Sequence, residues 1–83
     1  MIVISFKSTH DALEMEDVFD EKNIELRTIP TPREITAGCG VSLKIRKEDL
    51  LEAKKILDEY DIINRQIYEE LKLDSHKEYK LLE

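Results

Sequence analysis

Nearly all the special backbone chemistry of this 83-residue chain falls in one stretch, Ile29-Pro30-Thr31-Pro32-Arg33-Glu34-Ile35-Thr36-Ala37-Gly38-Cys39-Gly40-Val41. It holds both prolines, both glycines and the only cysteine. Proline cannot donate a backbone hydrogen bond, and glycine adopts angles that other residues avoid. Such a cluster marks one special connection. Loops of this kind, held by a regular scaffold, are where function concentrates.

On either side the pattern is regular. Ile2, Ile4 and Phe6 alternate with Val3, Ser5 and Lys7, which predicts a first strand. Ser8 or Thr9 then caps a helix, and Asp11 complements its dipole. Ala12, Met15, Val18 and Phe19 form the buried stripe of that helix, which runs to about Lys22 with Asn23 as a left-handed stop. Ile24 to Ile29 reads as a second strand and Val41 to Ile45 as a third. Glu48 and Asp49 open a second helix, with Leu50, Ala53, Ile56, Leu57 and Tyr60 as its apolar stripe. Its wet side carries Lys54 one turn from Asp58, and Lys55 one turn from Glu59. Ile62 to Leu71 supplies a fourth strand. Residues 72–83 are polar and read as a short helix or a disordered tail.

The order β-α-β-β-α with a last β predicts an α+β fold of the ferredoxin-like, split β-α-β kind. Its antiparallel sheet would carry both helices on one face. Residues 1–71 are expected to be one α+β domain, with 72–83 as its tail. At this length there is room for a single modest core.

Charge excludes some partners. Thirteen Lys and Arg against nineteen Asp and Glu leave −6, which argues against a nucleic-acid backbone or an anionic membrane surface. No apolar run reaches the roughly 20 residues a membrane helix needs, and the start of the chain lacks the basic lead-in of a signal peptide. A single cysteine forms no internal disulfide. The expected setting is cytoplasmic, with a reduced thiol. One Cys and two distant His residues do not give the ligand spacing of a zinc site, and no phosphate-binding glycine loop is present. No metal and no cofactor is expected.

Two parts of the loop carry candidate chemistry. Thr31-Pro32-Arg33-Glu34 fits a capping box, with Thr31 as cap, Pro32 at the first helical position and Glu34 reaching back. It predicts one helical turn from Pro32 to about Thr36. The bland reading is an ordered connection; the functional one is that Arg33 aims a guanidinium at whatever occupies the loop. Gly38 and Gly40 flank Cys39 and would leave its thiol open to a large partner. A free thiol, with a pKa of about 8.5, is only a few per cent thiolate at neutral pH; Arg33 or loop N–H groups would raise that fraction. Against this, Cys39 shares strand parity with Val41, Leu43 and Ile45, which would bury the sulfur as a small hydrophobe. His10, in the first turn of helix one, is a candidate base only if it approaches Cys39; a solvated histidine is the bland alternative. His76 reads as a surface residue.

Three blocks bear a resemblance: Ser8-Thr9-His10-Asp11-Ala12-Leu13, then Pro30-Thr31-Pro32-Arg33-Glu34-Ile35, then Cys39-Gly40. Over about Ile2 to Tyr60 the chain resembles DUF3343, a family of small bacterial proteins also described as selenium/sulfur carrier-like. The resemblance implies a sulfur or selenium carrier or accessory protein, a shuttle more than an enzyme with its own turnover. Cys39 would hold a persulfide or selenosulfide. Arg33 would steady the negative sulfur, and Gly38 and Gly40 would admit donor and acceptor proteins. A homodimer is compatible with the same reading. The alternative is a ligand- or protein-binding regulatory module in which Cys39 is structural, and an anion sits on the Thr31-to-Glu34 turn. A one-thiol redox enzyme would lack a resolving cysteine.

Overall fold

The computed structural model describes residues 1–35 and 38–83. Among these, the elements run β1 (Ile2–Phe6), α1 (Thr9–Glu21), β2 (Leu26–Pro30), β3 (Val41–Ile45), a 3₁₀ turn (Lys47–Asp49), α2 (Leu50–Glu59), β4 (Arg65–Lys72) and β5 (Lys77–Leu81). The strands form one antiparallel sheet in the order β2-β3-β1-β4-β5. The fold is α+β and compatible with the expected ferredoxin-like plan, extended by a fifth strand.

Strand parity explains the two faces. Ile2, Ile4 and Phe6 of β1, Leu43 and Ile45 of β3 and Ile67 of β4 share one side. They form one core cluster with Ala12, Met15, Val18 and Phe19 of α1 and Ala53, Ile56 and Leu57 of α2. Both helices therefore lie on that side. Each fully buried side chain of this size contributes roughly 1.5–3 kcal/mol against its exposed state.

The helices end by the same device. Asn23 and Asp61 take left-handed backbone angles, with φ of 62° and 56°. Ile24 N–H then reaches back to the Phe19 carbonyl and Ile62 N–H to the Leu57 carbonyl, both at 2.9 Å. These are Schellman closures, with a buried isoleucine just past each stop. Asn23 thus behaves as its sequence predicts. The closure occupies Ile24, so β2 starts at Leu26 rather than Ile24. Tyr60 becomes the α2 cap and is 42% exposed, outside the apolar stripe expected for it.

Two further expectations change. Residues 77–81, read as part of a short helix or disordered tail, form β5, pairing Tyr79 with Glu70 and Leu81 with Tyr68. Alternate residues Tyr79 and Leu81 face the sheet side away from the helices, a period-2 signal hidden by charged neighbours. The expected pairs within α2 also give way to tertiary ones: Lys54 meets Glu83 at 3.2 Å, and Asp58 meets Arg65 at 2.8 Å. Arg65, its side chain 9% exposed, also binds the Ile62 carbonyl and Glu83. A buried guanidinium gains more from several fixed acceptors than an exposed lysine does from one.

The face away from the helices is polar but not bare. Val3, Ser5 and Ser42 are buried there, on the parity opposite to Ile2 and Leu43. Above them Glu70 pairs with Lys44 at 3.0 Å and accepts a hydrogen bond from the Tyr79 hydroxyl at 3.0 Å. Burial pushes the Glu70 carboxyl up, but Lys44, Tyr79 and Lys77 outweigh it and hold it below the usual value. Burial, the bond to Glu70 and the charges of Glu70 and Glu34 push the Tyr79 hydroxyl up to about 12.

Candidate functional site

After β2, the described residues before position 36 and after position 37 lie against different parts of the sheet. On the helix-free face, the Thr31 hydroxyl meets the Ser42 hydroxyl at 2.8 Å. Ile35 is 4% exposed yet stands outside the helix-side cluster, and the charge of Glu34 is felt at the Tyr79 hydroxyl. Both observations put this part of the segment over the helix-free face. The chain then rounds the end of β1 at Gly38. A Cβ there would lie 2.5 Å from the Lys7 carbonyl oxygen, so the close approach itself requires glycine. Neither glycine uses a left-handed φ, and a Cβ on Gly40 would meet nothing within 4 Å.

Beyond Gly38 the sulfur enters the helix side. Cys39 keeps the parity of Val41, Leu43 and Ile45, is 5% exposed and belongs to the core cluster. The open thiol expected from its flanking glycines is therefore not the arrangement found; although Cys39 stands in a bend two residues before β3, its sulfur takes the side expected from parity. The Sγ lies 3.3 Å from both the amide nitrogen and the carbonyl oxygen of Val41, and 3.4 Å from the Thr9 hydroxyl oxygen. As a thiol it can donate to the Val41 carbonyl. As a thiolate it would retain two donors, the Val41 N–H and the Thr9 O–H.

The position of Thr9 follows from capping. Ser8 is the N-cap of α1 and its Oγ accepts from Asp11 N–H at 3.2 Å. Only one hydroxyl of the Ser8-Thr9 pair can serve there, so that of Thr9, the first helical residue, is left to meet the sulfur. Cys39 thus sits at the positive end of a thirteen-residue helix, which favours negative charge. Thr9 and Val41 were missed as its neighbours in the sequence; the surplus hydroxyl of Ser8-Thr9 was the available signal.

The other candidates separate. Arg33 is exposed and, among the described residues, makes no hydrogen bond or ion pair with Cys39. The capping box is not formed: the Thr31 hydroxyl donates to the Cys39 carbonyl at 3.0 Å and meets Ser42 instead. Over Pro32 to Ile35 the backbone makes a turn, closed by Ile35 N–H on the Pro32 carbonyl at 3.0 Å; Thr36, the expected end of the helical turn, lies outside the described residues. Thr31 has the better partners because its N–H also pairs with the Gly40 carbonyl at 2.9 Å, which carries the β2–β3 ladder past its last residues. His10 is exposed in the first turn of α1, and Thr9 rather than His10 reaches the sulfur. His76 lies between β4 and β5, exposed, beside Glu78. Thus Thr31, Gly38, Gly40 and Thr9 gather at Cys39, whereas Arg33, Glu34 and His10 do not.

No helix is long and apolar enough to cross a membrane among the described residues. Comparison with curated proteins and with solved structures finds no match to the chain. A family model described as "Putative Se/S carrier protein-like" matches residues 1–69, through β1, both helices and the first part of β4. The chain belongs to that family.

Proposed function

We propose that the protein is a sulfur or selenium carrier whose cargo is held on Cys39. The observation that carries this reading is the setting of the sulfur: the Val41 N–H donates to it, and the Thr9 hydroxyl, able to donate or accept, meets it at the N-terminus of α1. That is a setting for a sulfur anion, and a family of carrier-like proteins supplies the cargo class. Arg33, exposed and without a bond to the sulfur, is left to meet a partner's acidic surface rather than to steady the thiolate.

The transfer balances without an external oxidant. The Cys39 thiolate attacks the outer sulfur of a donor persulfide, R–S–SH. The donor S–S bond breaks, and R–S⁻ leaves and takes up a proton. A new Sγ–S bond leaves Cys39 as a persulfide. A donor carrying selenium in the outer position would give a selenosulfide by the same displacement. Delivery reverses the step onto an acceptor protein's thiolate. Because Cys39 is 5% exposed, donor and acceptor reach it only when the Gly38–Gly40 segment opens locally, as loops of low stability do.

Incubating the protein with a cysteine desulfurase and L-cysteine should add the mass of one sulfur to Cys39, reversed by a reducing thiol and absent in Cys39→Ser. A thiol that stays unlabelled by the donor, while small alkylating reagents also fail to reach it in the folded state, would sink the reading.

A second reading is favoured by the same burial: Cys39 as a structural hydrophobe in a binding module, with exposed Arg33 as the ligand contact. It expects Cys39→Ser to keep every activity of the protein and Arg33→Ala to lose partner binding. The carrier reading expects Cys39→Ser to abolish sulfur loading, and Arg33→Ala to weaken partner binding while Cys39 still accepts sulfur from a small-molecule persulfide.

A further inference from the structure

On the helix-free face, between the segment at Gly38 and the start of β4, lies an open groove of about 300 Å³. Ser5, Lys7, Gly38, Asn64 and Gln66 line it, with Ile63 at its rim, 76% exposed. Its shape follows from contacts already described. Lys7 N–H pairs with the Asn64 carbonyl at 3.2 Å, which draws the ends of β1 and β4 together. Gly38 lies against the Lys7 carbonyl without a side chain to fill the space. Cys39 points to the other face and is not part of the lining.

The polar groups here are unequal in their commitments. Arg65 also borders the groove, but its guanidinium is taken by Asp58, Glu83 and the Ile62 carbonyl. The Gln66 carbonyl oxygen already accepts from the Tyr68 hydroxyl at 2.9 Å, which leaves its NH₂ to donate. Ser5 is 2% exposed, and its hydroxyl makes no side-chain hydrogen bond among the described residues. Ser5 nevertheless lines the groove, which puts its hydroxyl within reach of a ligand there. Lys7 enters none of the ion pairs of the described residues. In a chain of net charge −6, the groove therefore offers one uncommitted ammonium beside a buried hydroxyl and two amides. Three of these four groups present donors without a side-chain acceptor among the described residues, and the Asn64 side chain adds both a donor pair and one carbonyl acceptor.

We propose that this groove binds a small carboxylate of amino-acid size. Its volume is at the lower end for ligand sites, too small for a nucleotide, and a single ammonium matches one negative charge. The Lys7 ammonium and the Ser5 hydroxyl would take the carboxylate, and the Asn64 carbonyl would accept from an ammonium where the ligand carries one. The same carboxylate chemistry is offered by a free amino acid and by the C-terminus of a peptide. This site stands apart from the carrier reading and neither needs nor supports it.

The test is a titration of the full chain, followed by backbone amide shifts. Glycine, triglycine and glycinamide are the probes. Saturable shifts confined to Ser5, Lys7, Asn64 and their neighbours are expected with glycine or triglycine, and none with glycinamide, which has lost the carboxylate. Tighter binding of glycine assigns the site to a free amino acid, and tighter binding of triglycine to a chain end. Lys7→Gln, at an exposed position that should leave the remaining amide spectrum unchanged, should weaken binding about fivefold, the upper range for one exposed ion pair; Ser5→Ala should weaken it further. An equal response to glycinamide would overturn the proposal. So would shifts spread over the surface without saturation, or a Lys7→Gln protein that binds as well as the parent.

Discussion

The two faces of the sheet are closed by different physics. On one, α1 and α2 bury a contiguous apolar cluster. On the other, no helix packs among the described residues; Val3, Ser5 and Ser42 are buried there, beneath a Lys44–Glu70–Tyr79 network and the segment through Ile35. The first face depends on area removed from water, which is insensitive to pH. The second depends on charges whose partners must stay ionised or neutral as the case requires. The only cysteine begins its segment on the second face and ends with its sulfur in the first.

The comparison is tested most severely by truncation in the helix-side core. Phe19→Ala, at a fully buried position, should cost about 3–5 kcal/mol, a large share of the stability of a domain this size. Urea unfolding measures it, and a loss below about 1 kcal/mol would mean that this cluster does not dominate. Gly38→Ala comes next. Its Cβ would meet backbone, the Lys7 carbonyl oxygen, so the segment must move; about 1–3 kcal/mol is expected, with faster alkylation of Cys39 as the seat of the sulfur loosens. Unchanged stability and labelling would show that the turn at the sheet end is not constrained there.

The smallest effect belongs to the polar face and is read through pH. Glu70 is held below the usual carboxylate value of 4.5 by Lys44, Tyr79 and Lys77 against the opposing effect of burial. A group with a depressed folded value contributes above its unfolded value and loses that contribution as pH falls through the folded one. Stability should therefore decline below about pH 4.5, and Glu70→Gln should flatten part of that slope. Tyr79 has the opposite sign: its value is raised from 10.0 to about 12, so its contribution is complete below pH 10 and drains away between there and about 12. Tyrosinate absorbance should show one of the three tyrosines ionising late, and Glu70→Gln should bring it earlier. A Phe19→Ala protein should keep both pH limbs at lower overall stability.

What could be read from the sequence follows the same division. The helix-side face was legible because its signals are periodic: Ile2, Ile4, Phe6 at period two, and Ala12, Met15, Val18, Phe19 at helical spacing. The parity that would bury Cys39 was equally visible, and it prevailed over the openness suggested by Gly38 and Gly40. The helix-free face was not legible. Lys44, Glu70 and Tyr79 meet through strand register, and nothing local in Glu70 marks it as half of a buried pair. β5 was hidden for the same reason, since Lys77-Glu78-Tyr79-Lys80-Leu81 looks like a solvated tail until β4 is beside it. At Thr31 the local rule was sound, but its hydroxyl found better partners across the sheet in Cys39 and Ser42. Charges that pair by sequence spacing, such as Lys54 with Asp58, yielded to partners that only folding supplies.

One short stretch of chain has its two described ends on opposite faces of the sheet. Ile35 is seated on one face and Cys39 on the other, and the three peptide links from Ile35 to Gly38 can stretch to at most about 11 Å. If the carrier reading holds, an atom added to the sulfur perturbs one end of this link, and Ile35 and Glu34, whose charge is felt at the Tyr79 hydroxyl, stand at the other. Loading on one side of the sheet would thus be written on the other, where a tyrosine signal in a protein without tryptophan is able to report it.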